Sequence, residues 1–141
     1  MNIKKIVLVL AIGTVLLAYA TASWAAEVVI PLTATEAQRG ASGIAFLDEQ
    51  GLSIHARGLR PDSVYTVWFV NTKPKMRETG AGRAPYAFRT DSKGNGVYGS
   101  TLAHSPFGEW EMIMVVLHPG GDPSTMDNMK YAFKAQIPRF R

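Results

Sequence analysis

From Glu27 onward, short apolar runs alternate with clusters of Gly, Pro, Asn and Asp, at the spacing of roughly 8–12 residues that marks an all-β sandwich or barrel. Glu27 to Leu32 (EVVIPL) predicts a first strand, and its proline suits a sheet edge, where a missing N–H does little harm. Gly43 to Asp48 and Leu52 to Arg57 predict a hairpin turning through Glu49, Gln50 and Gly51. In its second strand Leu52, Ile54 and Ala56 alternate with Ser53, His55 and Arg57, so one face is apolar and His55 is expected to face solvent. Tyr65 to Val70 (YTVWFV) is apolar on both faces and predicts a central strand. Tyr86 to Thr90 and Val97 to Ala103 flank Asp91-Ser92-Lys93-Gly94-Asn95-Gly96 and predict a second hairpin, because these turn residues tolerate positive φ. Glu109 to His118 (EWEMIMVVLH) is the longest strand signal, and Tyr131 to Ile137 brings the count to seven or eight.

Between the first hairpin and the central strand runs Gly58-Leu59-Arg60-Pro61-Asp62-Ser63-Val64-Tyr65. This Leu-x-Pro-x-x-x-Tyr pattern resembles the tyrosine corner of fibronectin type III and related immunoglobulin-like domains, in which the phenol bonds back to backbone near the preceding turn. The resemblance implies that Tyr65 is the corner tyrosine, with Leu59 packed beneath it and Pro61 setting the turn. Near the C-terminus, Asp122-Pro123 predicts a helix N-cap followed by proline at the first helical position. Met126, Met129 and Phe133 fall on one helical face if the helix runs that far. The expected fold is all-β, an immunoglobulin-like antiparallel sandwich of seven or eight strands with a short C-terminal helix.

The first residues, MNIKKIVLVLAIGTVLLAYATASWAAE, change the picture of compartment. Lys4 and Lys5 precede an apolar run from Ile6 to Ala20, and Ser23-Trp24-Ala25 is a small-x-small cleavage site. A secretory signal peptide over residues 1–25 is expected, with residues 26–141 forming one domain in the periplasm or outside the cell. No later run is long and apolar enough for a membrane span. The chain has no cysteine, so stability must come from its core rather than from disulfides. The leader holds two of the 15 basic residues and none of the 11 acidic ones, which leaves a net charge of +2 on the rest. That is too little to imply nucleic acid as a partner.

Candidate chemistry is sparse. There is no Gly-x-Ser-x-Gly elbow, and the adjacent carboxylates Asp48 and Glu49 lie in a turn, while Glu109 and Glu111 share one strand face. A non-enzymatic binding or structural module is therefore expected, acting through its loops on a protein or surface partner and needing no cofactor. The long stretch Asn71 to Pro85 presents Lys73, Lys75, Arg77 and Arg83 as a candidate interaction loop. The alternative is copper. Trp110, Met112, Met114, Val116 and His118 share one strand face, and His118, Met126 and Met129 offer the imidazole and thioethers that suit Cu(I). A blue-copper centre is excluded for want of a thiolate.

Overall fold

The structure, a computed structural model, describes residues 26–140. The signal peptide expected over residues 1–25 lies outside the described residues. Among the described residues nine strands form: β1 (Val28–Ala34), β2 (Ser42–Leu47), β3 (Gly51–Arg57), β4 (Val64–Asn71), β5 (Arg77–Gly80), β6 (Ala87–Arg89), β7 (Gly96–Thr101), β8 (Met112–His118) and β9 (Lys130–Gln136). All pairings are antiparallel, in the order β5-β4-β8-β9-β1-β2-β3-β7, with β6 also on β4. The sheet curls into a half-barrel. The join between its two halves is β1, which pairs with β2 through Val28 to Leu32 and with β9 through Thr33 and Ala34.

The main core fills the inside of the curl. Its centre is Tyr65, Val67 and Phe69 of β4, Ile113, Val115 and Leu117 of β8, Phe133 of β9, and Leu47 and Ile54 from the other half. On β8 the period-two pattern holds: Ile113, Val115 and Leu117 face this core, while Met114, Val116 and His118 are buried on the opposite, outer face. Both faces of β8 are covered, which is why the strand reads as a continuous apolar run.

The chain crosses between the two halves at Gly58 to Ser63 and again at Asp91 to Asn95, and the crossings are laced together. Leu59 N–H donates to the Gly94 carbonyl (3.1 Å), Asp62 N–H to the Asp91 carbonyl (3.1 Å), and Thr90 Oγ1 to the Arg60 carbonyl (2.6 Å). Asp91 Oδ1 accepts from the N–H groups of Lys93 (2.8 Å) and Asn95 (2.9 Å). The Asn95 and Lys93 N–H donors hold the Asp91 carboxyl below the usual carboxylate range. Gly94 has φ +79° and is buried. The expected hairpin of Tyr86–Thr90 with Val97–Ala103 is thus not a ladder, because β6 joins β4 and β7 joins β3.

In the first crossing Arg60 N–H donates to Tyr65 Oη at 3.0 Å, and Leu59 is buried beside it. Burial pushes the Tyr65 phenol up, partly opposed by the Arg60 N–H. Tyr65→Phe keeps the ring that stacks on Phe88 (5.4 Å between centroids) and removes only the acceptor. It is expected to cost about 0.5–1.5 kcal/mol. A denaturant titration should show a lower midpoint at unchanged slope.

Two further expectations need correction. The stretch Asn71 to Pro85 is not one loop, since Arg77 to Gly80 form β5 and pair with β4 from Trp68 to Asn71. There is also no helix after Asp122. Among the described residues the only helical segment is a 3-10 turn at Glu36–Gln38. Asp122 Oδ1 accepts from Ser124 N–H (2.9 Å) and Oγ–H (2.6 Å), a turn that closes on itself, and Asn128 takes φ +57°. Lys130 is already paired opposite Leu117, so too few residues remain to offset the cost of helix nucleation. Phe133 lies in the strand expected from Tyr131 to Ile137, as a core residue of β9. The register shifts between Val115 and Val116, which face Phe133 and Tyr131 respectively. The extra residue, Ala132, lets Phe133 point into the core while Tyr131 lies on the outer face, although a regular strand would put both on one side.

Candidate functional site: a methionine-lined pocket

The outer face of β4 and β8 carries an apolar cluster of its own, apart from the main core. Trp68 and Val70 of β4 lie beside Met114 and Val116 of β8, with Tyr131 of β9 and Glu78 of β5 at the margins. Two loops complete it. Met76 comes from the segment leading into β5, and Met126 and Met129 come from the segment between β8 and β9. Together these residues line a partly open pocket of about 20 Å³.

A buried hydrogen-bond relay holds the second loop down. Trp68 Nε1–H donates to Thr66 Oγ1 at 2.8 Å, Thr66 Oγ1 lies 2.7 Å from His118 Nε2, and His118 Nδ1 lies 3.0 Å from the Thr125 carbonyl. A carbonyl only accepts, so Nδ1 carries the proton and, in the neutral ring, Nε2 accepts from the Thr66 hydroxyl. Every polar atom of the relay is then satisfied. Thr66 and His118 are fully or almost fully buried, and among the described residues no buried side-chain polar atom lacks a partner. The relay fixes the Trp68 indole at one end and the loop backbone at the other.

Trp68 is also held from the β5 side. Its ring lies 5.6 Å from that of Tyr86, and Tyr86 rests on Gly80, where an added Cβ would come within 2.3 Å of the phenol ring. Gly80 stands opposite Trp68 in the β4–β5 register. A glycine here is what lets an aromatic ring lie flat against β5 and brace the pocket wall.

The residues expected to act together are divided by this geometry. Met126 and Met129 line the pocket. His118 does not; its two ring nitrogens are committed to Thr66 and Thr125. Met76 and Met114 take places in the pocket that sequence reasoning did not assign. Met114 is buried on the outer side of the sheet, and Met76 stands among basic residues just before β5. Of the five methionines among the described residues, four line this pocket, and Met112 does not.

The four basic residues also separate. Lys73 and Lys75 are exposed in the loop before β5. Arg77 begins β5, pairs with Glu109 at 2.8 Å and lies over the Trp110 ring at 5.0 Å. Arg83 is beyond β5, and its backbone N–H donates to Ser100 Oγ (2.8 Å). His55 is exposed as expected and meets Phe46 edge-on at 5.8 Å. It belongs to a wide depression of about 640 Å³ on the outside of β2, β3 and β7, floored by Ile44, Phe46 and Val97.

Among the described residues no three His, Asp or Glu side chains are grouped to hold a metal ion, and no helix is long and apolar enough to cross a membrane. Comparison with protein-family models, with curated proteins and with solved structures finds no match to this chain.

Proposed function

We propose that the protein is an exported, non-enzymatic binding module, an immunoglobulin-like β-sandwich that engages its partner through the loops over the outer face of β4 and β8. The observation that carries this reading is the pocket held between the two loops, with Met76 61% and Met126 56% exposed at its rim. Flexible thioethers beside fixed aromatic rings make an adaptable apolar contact surface. Lys73 and Lys75, exposed just before Met76, add a basic rim that would speed encounter with an acidic partner. Thioethers and an indole neither take nor give protons at neutral pH, which favours binding over acid–base chemistry. The Arg60–Tyr65 bond supports the immunoglobulin-like reading of the fold, and the leader supports export to the periplasm or beyond.

Peptides selected against the immobilised protein provide the test. Mapped by backbone NMR, the selected peptides are expected to perturb Trp68, Met76, Met126, Met129 and Tyr131. The Met76→Asp, Met126→Asp variant should bind them at least about tenfold more weakly, a loss of roughly 1.4 kcal/mol. If the peptides instead map to Ile44, His55 and Val97, the binding surface lies on the opposite half and the proposal fails.

A further inference from the structure

We infer that the pocket formed by Met76, Met114, Met126 and Met129 is a coordination site for a soft monovalent cation, Cu(I) or its surrogate Ag(I). The inference rests on reading this face as the binding surface, and it names the ligand class.

Three observations carry it. The first is convergence. Methionines arrive from the loop before β5, from β8 and from the β8–β9 loop, and all four line one pocket of about 20 Å³. A water-sized body needs roughly 10–15 Å³ of such volume, so the space is of a size for one ion. The second is exposure. Met114 is buried and packing accounts for it, but Met76 and Met126 are more than half exposed and gain little from burial. An apolar side chain left at the surface of a pocket, where leucine would pack as well, points to a use for its sulfur. The third is donor chemistry. Thioethers are soft neutral donors that favour Cu(I) over hard divalent ions, which need several oxygen ligands. Glu78 is the one acidic side chain among the wall residues, a single carboxyl group beside a monovalent cation. The Trp68 ring, fixed by its bond to Thr66, adds an electron-rich surface beside the site.

In this arrangement His118 is a positioning residue. It holds the Thr125 carbonyl, and through it the loop that bears Met126 and Met129. The ion enters as Cu(I) and stays Cu(I). Sulfur lone pairs are donated, no electron is transferred, and the thioethers release no proton.

The test uses the protein with its methionine ε-methyl groups labelled with carbon-13. It is titrated with Ag(I), then with Cu(I) under reducing, anaerobic conditions. The expected result is that the methyl signals of Met76, Met114, Met126 and Met129 move together and saturate at one ion per chain. Met112, on the same strand but outside the pocket wall, should stay in place. The Met126→Leu, Met129→Leu variant conserves volume and should fold as the parent does, while binding at least about tenfold more weakly. Shifts confined to the exposed Met76 and Met126, shifts that never saturate, or a double variant that binds as tightly would overturn the inference. If neither ion moves the four methyl groups but selected peptides do, the loop-surface reading stands and the metal reading falls.

Discussion

Gly94→Ala is expected to destabilise the protein by about 2–5 kcal/mol, combining roughly 1–2 kcal/mol for a left-handed non-glycine residue with roughly 1–3 kcal/mol for overpacking. Gly94 has φ +79°, and a Cβ there would lie 2.2 Å from the Leu59 carbonyl oxygen and 3.2 Å from the Leu59 nitrogen. The obstacle is backbone, so no rotamer change relieves it. Retreat is blocked too, because the Gly94 carbonyl accepts the Leu59 N–H at 3.1 Å, and moving the turn away would break one of the bonds that lace the two crossings. Gly121→Ala separates the two contributions. Gly121 has nearly the same φ, +78°, with nothing within 4 Å of an added Cβ. It should cost only the conformational part, about 1 kcal/mol. Denaturant midpoints of the two variants decide the matter: equal losses would mean that the contact with Leu59 carries no weight.

His118→Ala is expected to cost about 3–5 kcal/mol, summing a large-to-small truncation in a packed site and the orphaning of buried hydrogen-bond partners. The ring is 2% exposed, and its loss leaves the Thr66 hydroxyl without an acceptor and the Thr125 carbonyl without its donor. The damage should be local before it is global. Amide exchange across residues 119–129 should speed up more than exchange in the core strands, because the loop is tied down at Thr125. His55→Ala is the contrast, an exposed imidazole whose removal should change stability by less than about 0.5 kcal/mol. If exchange in the β8–β9 loop is unchanged in His118→Ala, the relay is not what anchors it.

The strands were legible because each has a local signature. The two-faced run of β4, the alternation in β3 and the parity of β8, which correctly put His118 on the side of Met114, all follow from a period of two that needs no knowledge of neighbours. The bond from Arg60 N–H to the Tyr65 phenol was readable for the same reason, since Leu59, Pro61 and Tyr65 lie within one turn and its strand. What escaped was set by pairing across the sheet. β5 is four residues, Arg77 to Gly80, none of them buried, that count as a strand only because they pair along β4. The segment after Asp122 has the marks of a helix start, yet Lys130 is claimed by Leu117 and the bulge at Ala132 reverses the facing of Tyr131 against Phe133. The pocket was half visible. Met126 and Met129 stood close together in sequence, whereas Met76 reaches them only after β5 folds back along β4, and His118 was credited with a free nitrogen that the Thr66 and Thr125 contacts take up.

The double pairing of β1 also governs the order in which this chain can assemble. Val28 to Leu32 match β2 nearby, but Thr33 and Ala34 lie opposite Lys134 and Phe133, close to the other end of the described chain. A ladder built from such distant partners carries high contact order and places folding in the millisecond-to-second range typical of all-β domains. Until Lys130 to Gln136 arrive, the end of β1 presents unpaired backbone groups, and another chain in the same state offers a matching edge. Crowded refolding therefore sets self-association against completion, and the C-terminal strand is the segment that decides between them.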